Sequence, residues 1–422
     1  MTLPEAASAR RGRGISPQGA AGIGLVVLGS LVGSPLVVVL GVAAILFDAV
    51  RAAWAGRVLD RVVYRRHLAD APLVAGDEVP FAIEIWNAQR LPLPWVRVDD
   101  RASASVEIRE RRLSLVEDFG VALRNAWTLA PHERVTRHFT LRGTRRGIIE
   151  LGPARLEAGD LFARSADTRV DASVERRLVR PRVVPVRIPE AGDPWGLAER
   201  ARRGLLEHPT SYAGVREYRP GDPVRRIHAR TSARIGRPVV KRFDPARERD
   251  VLLVLDIQTG GGPPGSLTFE EDLAEELCVA AGSIAARLLA DGAAVGLAVA
   301  AYAASLRRIA FLAPSEARDQ LGRILDTLAR LSPFPSASFE QLAANAARFL
   351  RPGVSIVVLT ARDPRPLAPV LRRLDRSGFR ATVLTLGAGA EAGRPALRGA
   401  SVASRTLRVD GGWRTPERVV VE

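Results

Sequence analysis

The 422-residue chain has a single cysteine, Cys278, and a single lysine, Lys241. One thiol excludes an intramolecular disulfide and any zinc site built on cysteines. Cys278 sits in an apolar helical pattern and reads as a buried structural thiol. No G-x-x-x-x-G-K-[ST] loop is present to cradle a nucleotide phosphate, so any ATP turnover must belong to a partner. Aromatic residues are 5% of the chain, and no basic stretch is interleaved with Phe or Tyr. A stacking platform for single-stranded nucleic acid is therefore not expected.

What is present is arginine and aliphatic residues. Lys+Arg number 62 against 46 Asp+Glu, a net charge of +16, and removing Lys241 (62 − 1) leaves 61 arginines. Such a charge could attract nucleic acid, anionic lipid or an acidic partner protein, nucleic acid being the minor reading. Hydrophobic content of 47% is ample for burial, and the length predicts two globular units plus an anchor.

The expected layout is a basic tail over residues 1–18, a transmembrane hairpin over 19–50 and an amphipathic basic connector over 51–71. A β-sandwich follows over 72–190, a linker with a signature segment over 191–250, and an α/β domain over 251–422. Gly19 to Phe47 carries no charge, and Gly33-Ser34-Pro35 interrupts it. Arg10, Arg11 and Arg13 precede it, and Arg51, Arg57, Arg61, Arg65 and Arg66 follow, so both flanks are expected in the cytoplasm. The predicted location is the cell membrane with the folded parts on its cytoplasmic face. Beyond the connector, apolar and polar residues alternate: Phe81, Ile83 and Ile85 share one face, and Val135–Leu141 and Ile148–Leu156 repeat the pattern. Short strands separated by turn residues predict an immunoglobulin-like β-sandwich.

Tyr218 to Arg234 is the most specific run. Arg219-Pro220-Gly221-Asp222 suits a type II turn, and Asp222 is placed to cap a helix beginning at Pro223 and ending at Gly236. Val224, Ile227 and Thr231 would dock, and Arg226, Arg230 and Arg234 would stack on another side. Arg216, Glu217, Tyr218, Pro220, Gly221, Asp222, Arg225, Ile227, Ser232, Ala233 and Arg234 match R-E-Y-x-P-G-D-x-x-R-x-I-x-W-x-x-S-A-R, so the chain resembles the bacterial domain-of-unknown-function-58 family. Ala229 stands where that family usually has Trp. Arg146–Pro153 and Gly159–Phe162 are similar to further stretches of the family, the second eroded at Leu161 and Ala163. The resemblance implies a membrane-anchored protein with a von Willebrand factor A-like domain, a MoxR-type AAA+ ATPase as partner, and a binding role for Arg216, Tyr218, Pro220, Gly221, Asp222, Arg225, Arg226, Arg230, Ser232 and Arg234. The arginines either meet partner carboxylates or lock the segment through internal salt bridges.

Val251–Asp256 is an apolar run ending in an acid, as in a central parallel strand, and the βα alternation after it predicts a doubly wound sheet with ligands at the strand carboxyl ends. Asp256 stands where the von Willebrand factor A fold carries a metal-ion-dependent adhesion site, D-x-S-x-S. Here the residues read Asp256-Ile257-Gln258-Thr259-Gly260, with neither serine. Mg²⁺ on Asp256 and Asp363 is one reading; the other has Asp256 capping a loop or pairing with an arginine. Otherwise no cofactor is expected.

Asp222, His228 and Asp256 are the one tempting acid–base cluster, without a nucleophile motif beside it. The expected function is a non-enzymatic, membrane-anchored interaction protein, which by the resemblance would work with a MoxR-type ATPase in assembly of envelope or metalloenzyme complexes. The alternatives are metal-dependent adhesion-type binding and an uncharacterised enzyme.

Overall fold

Apolar residues at every second position build the first half of the molecule. The structure, a computed structural model, describes residues 17–54, 58–159, 166–188, 207–220, 222, 227–245, 250–259, 270–303, 309–350, 354–399 and 402–422. The chain divides into two units, one of residues 1–71, 78–142 and 149–176, the other of 72–77, 143–148 and 177–422.

The first unit begins with two helices, Pro17–Val32 (α1) and Pro35–Trp54 (α2). Each opens on a proline, whose missing N–H is no loss at a helix start. They form the expected hairpin because glycines let the backbones touch. A Cβ on Gly41 would lie 2.7 Å from the Val26 nitrogen, and one on Gly29 would lie 2.7 Å from that of Val38. The transmembrane assignment is corrected: among the described residues no helix is long and apolar enough to cross a membrane. The 16 residues of α1 rise only about 24 Å against a hydrocarbon core of roughly 30 Å. In α2, Asp48 and Arg51 confine the uncharged part to residues 35–47. Leu28, Leu31, Leu36, Val39, Leu40 and Phe47 remain exposed. The connector assignment over 51–71 is corrected too. Val62–Leu68 (β1) is a strand, since Val62, Tyr64 and Arg66 alternate inward.

After Leu73–Val74 (β2), which belongs to the second unit, come Glu78–Asn87 (β3), Leu93–Ala102 (β4), Val106–Ile108 (β5) and Ser114–Val116 (β6). Gly120–Leu129 (β7), Arg134–Gly143 (β8), Gly147–Gly159 (β9) and Ala166–Asp171 (β10) complete the first unit. One sheet has the order β1-β3-β8-β5; the other contains β9-β4-β7-β6, with β10 on β9. Phe81, Ile83, Ile85, Leu93, Val96, Val98, Leu141 and Leu156 are buried, as the alternation requires. In register, Phe81 faces Phe139 and Val98 faces both Asn125 and Leu156.

A charged network lies among these apolar residues. The Arg66 guanidinium grips Asp100, with Nη2 to Oδ1 at 2.7 Å and Nε to Oδ2 at 2.8 Å, and the Tyr64 hydroxyl donates to Oδ2 at 2.7 Å. Burial pushes the Asp100 carboxyl up, against the downward pull of Arg66 and Tyr64. Gly152, at φ +101°, leaves room for the guanidinium, since a Cβ there would stand 2.8 Å from Nη2.

Beyond β2, the second unit takes in Glu175–Arg180 (β11) from Arg177 onward and Val186–Arg187 (β12), followed by Glu207–Glu217 (β13), Ala229–Ile235 (α3) and Val239–Pro245 (β14). Asp250–Asp256 (β15), Glu271–Ala290 (α4), Ala294–Val299 (β16), Ala301–Ala303 (β17), Ala310–Ser315 (β18) and Gln320–Arg330 (α5) come next. Leu331–Pro335 (β19), Phe339–Phe349 (α6), Ser355–Thr360 (β20), Ala368–Arg376 (α7) and Arg380–Leu386 (β21) follow. Ala388–Ala392 (α8), Arg394–Gly399 (α9), Ala403–Asp410 (β22) and Arg418–Val421 (β23) close the chain.

Its main sheet has the order β12-β23-β22-β21-β20-β15-β16-β18. Strands β16, β15, β20, β21 and β22 run parallel, and β18 and β23 pair antiparallel at either side. Along β15, Leu253 and Leu255 pack with Leu277, Leu288, Ile324 and Leu328 of α4 and α5 on one face. Leu252 and Val254 pack with Phe339, Leu342, Leu371 and Leu374 of α6 and α7 on the other. Both faces are covered, which accounts for the unbroken apolar run Val251–Leu255. Counted by strands, the chain as a whole is mostly β, and this corrects the expected balance of the fold class.

The expected domain limits also move. Residues 72–77 and 143–148, placed by sequence in the sandwich, belong to the second unit, which resumes at 177 instead of 191. Arg146 shows why. Its guanidinium is buried, pairs with the buried Glu275 of α4 and donates from Nε to the Leu328 carbonyl at 3.0 Å. Burial opposes the charge, but the nearby Cys278 and Glu275 hold the guanidinium protonated more firmly than usual.

Candidate functional site

Two places hold the residues singled out by sequence. The first is the signature segment. Strand β13 pairs antiparallel with β14, and between them the chain turns at Arg219–Asp222, where the Asp222 N–H donates to the Arg219 carbonyl at 3.0 Å. The helix start at Pro223 that Asp222 is expected to cap lies outside the described residues. The Asp222 carboxylate takes both arms of the Arg216 fork at 2.7 Å each and the Arg219 N–H at 2.8 Å. The Arg216 bond, with the Arg219 N–H, holds its pKa down to about 2.

Helix α3 begins at Ala229, just after Ile227, which is engaged in a bridge with Val240. His228 is its cap, with Nδ1 accepting from the Thr231 N–H at 3.2 Å. Gly236 ends it as expected, at φ 75° with its N–H on the Ser232 carbonyl at 2.9 Å. The Ser232 hydroxyl also holds β14, accepting from the Val239 N–H at 3.0 Å. The Tyr218 N–H donates to the Pro238 carbonyl at 3.1 Å, and Pro220 is exposed in the turn. Gly221, Pro223, Val224, Arg225 and Arg226 lie outside the described residues. Helix α3 buries no residue, and Arg230, Arg234 and Ile235 are exposed on it.

The second place is the carboxyl end of the parallel strands. Asp256 ends β15 and stands in register with Thr360, which ends β20. The buried Asp256 carboxylate accepts from Thr360 Oγ1 at 3.1 Å, from Arg362 Nε at 2.7 Å and from the Gln258 backbone N–H. Burial pushes its pKa up, and Arg362 and Thr360 work against that. Thr259 accepts from the Glu270 N–H at 2.6 Å and so fixes the start of α4. A cleft of ≈ 520 Å³ opens here, lined among others by Thr259, Glu270, Arg362, Asp363, Gly387 and Gly389. Its position at the ends of β15 and β20 is where a doubly wound sheet collects ligands.

The residues present do not fit a divalent cation. Asp256 Oδ2 already receives a guanidinium and a hydroxyl, so one of its two oxygens is committed. Asp363 is tied to Arg365, with its Oδ2 accepting from Nε at 2.6 Å. Among the described residues no group of three or more His, Cys, Asp or Glu could hold a metal ion. The alternative reading, Asp256 paired with an arginine, matches the geometry. Arg362 is the residue that sequence reasoning passed over; its signal is an arginine two positions past the end of the strand beside β15.

The three candidate acid–base residues are each committed elsewhere: Asp222 to Arg216, His228 to the α3 cap and Asp256 to Arg362.

Comparison with known proteins agrees with the signature. Residues 214–386 match the family model described as "Protein of unknown function DUF58". The chain is 24% identical over 236 residues to the uncharacterized protein YeaD of Bacillus subtilis (strain 168), covering 55% of this chain and 54% of that protein. The chain thus spans about half the length of that curated relative. Among solved structures, native alpha-2-macroglobulin of Escherichia coli, from domain MG7 to the C-terminus, is 21% identical over 28% of this chain and 16% of that one, at TM-score 0.21. The PapD-like domain 7 of human CEP192 is 14% identical over 28% and 86%, at TM-score 0.19. Over residues 214–386, then, the chain is similar to the DUF58 family, described as proteins of unknown function.

Proposed function

We propose that this protein is a non-enzymatic interaction protein whose partner is a MoxR-type AAA+ ATPase, the partner that the family resemblance implies, acting in assembly of envelope or metalloenzyme complexes. The observation that carries this reading is the state of the signature segment. Its acid and its histidine are used up holding its own shape, while α3 buries nothing and shows Arg230, Arg234 and Ile235 to solvent. A seven-residue helix is far too short to be stable by itself, so its caps maintain it as a surface. Exposed guanidinium groups beside an aliphatic residue suit an acidic, partly apolar partner face. The exposed aliphatic residues of the α1–α2 hairpin give the same molecule a face that lies against the cytoplasmic leaflet of a bilayer without crossing it.

Capture of the purified ATPase by the full chain tests the reading. Arg230→Glu/Arg234→Glu is expected to lower capture about tenfold or more, the effect of losing one or two charge-assisted contacts. Unchanged capture by a folded double variant rejects the signature as the contact, and absence of capture by the wild type rejects this partner. Flotation with liposomes tests the hairpin: Leu28→Glu/Leu40→Glu is expected to abolish co-flotation.

A further inference from the structure

We infer that the cleft at the carboxyl ends of β15 and β20 binds a glutamate side chain of a partner protein, with the Arg362 guanidinium, not a metal ion, as the cation that holds it. Because this names the chemistry of a partner contact, it rests on the interaction reading; the probe below is a small peptide and not the ATPase, so the two fail separately.

Three observations converge. Arg362 is anchored through Nε alone, at 2.7 Å from Asp256 Oδ2. Among the described residues, no hydrogen-bond partner meets its Nη1 or Nη2, so the two-donor end of the fork is left for a ligand. Asp256 is itself fixed by Thr360 and the Gln258 N–H, so the guanidinium is oriented before a ligand arrives and loses little entropy on binding. The arginine side chain is only 15% exposed and forms part of the wall of the ≈ 520 Å³ cleft, where water screening is reduced.

The charge balance selects the ligand. Arg365 is engaged by Asp363, so Asp256, bonded to Arg362, and Glu270 are the two carboxylates left to set against the Arg362 guanidinium. A phosphate dianion meets more repulsion there than a single carboxylate does. The planar fork matches a carboxylate with two parallel N–H···O bonds. Leu273, Ala361 and Pro366 line the same cleft and suit the methylene stem of glutamate.

The experiment titrates the full-length protein with N-acetyl-Ala-Glu-Ala-amide, its glutamine counterpart and inorganic phosphate, reading heat and the Arg362 side-chain resonance with and without EDTA. The expected result is saturable binding of the glutamyl peptide at a roughly millimolar Kd, unaffected by EDTA and absent for the glutamine peptide. Gly389→Glu adds a competing carboxylate at a site where a Cβ meets nothing within 4 Å, so the fold is kept. Its affinity is expected to fall roughly tenfold or more, as is that of Arg362→Lys, which keeps the charge but not the fork. Equal binding of the glutamine peptide, tighter binding of phosphate, loss of binding with EDTA, or undiminished affinity in Gly389→Glu each overturns the assignment.

Discussion

Asp222 shows how one side chain can hold a partner that its own sequence neighbourhood does not announce. An aspartate directly before a proline is a common helix cap, and the sequence offers no hint that Arg216, six residues earlier at the end of β13, grips it across the turn. Its pKa gives a clean test. The folded value, about 2, lies below the ordinary carboxylate value, so the bond to Arg216 contributes stability that is complete above about pH 4 and is lost as pH falls toward 2. Carboxyl carbon NMR should show Asp222 titrating near 2 in the wild type and returning toward the ordinary range in Arg216→Gln. A wild-type midpoint at the ordinary value would mean that the fork is not closed in solution.

Arg146 makes a stronger claim at the same scale. Removing a buried partner leaves the other charge uncompensated, so Arg146→Met should cost about 3–5 kcal/mol in unfolding free energy, and Arg146→Met/Glu275→Leu should recover much of that. Chemical denaturation measures both. Cys278 reports on the same core: burial pushes its thiol up to about 11, so it should resist thiol reagents in the native wild type. Labelling that is fast without denaturant would show that this core opens.

Elements were readable in proportion to the regularity of their burial. Val79–Asn87, Val135–Leu141 and Ile148–Leu156 were found because each has one buried face and one open face, which imprints a period of two. Val354–Thr360 and Arg380–Leu386 were found because both faces are covered. By contrast Ala310–Ser315 carries a proline and no buried side chain, and Ala403–Asp410 mixes arginines with its apolar positions, so neither stands out as a strand. The hairpin of α1 and α2 was visible as an uncharged run, but Gly33 follows the end of α1 and Asp48 ends the uncharged part of α2, which leaves each apolar segment short of a crossing. The end of α3 at Gly236 was legible because only glycine adopts φ 75° without strain. Gly236→Ala should therefore loosen this helix by about 1 kcal/mol, seen as roughly fivefold faster amide exchange across residues 232–236 with the main sheet unaffected. Unchanged exchange would mean that contacts other than the cap hold the helix.

At the scale of the whole chain, the sequence gives the order of folded parts and misplaces their borders. Composition shifts mark linkers, but the residues that complete the α/β unit come from outside any such segment. Val184 is part of its buried core, and the Val184 N–H donates to Ser283 Oγ at 3.0 Å. Strand β12 adds an edge to its sheet, pairing Val186 with Val419 and Arg187 with Val420. Arg145 and Arg146 reach α4 from still further back in the chain. Three lengths of protein separate the two ways of drawing the border. A fragment of residues 191–422 lacks Val184, β12 and both arginines; one of 177–422 regains the first two; the full chain has all. The expected order of thermal stability is 191–422 lowest, with aggregation from the exposed edge of β23, then 177–422, then the α/β transition of the full chain. Restoring Val184 alone should return about 1–2 kcal/mol by reburial of its side chain, and the step to the full chain should exceed this because it re-pairs the buried Glu275. If 191–422 melts as high as 177–422, the border lies where composition alone would put it and the backward reach of this unit is wrong.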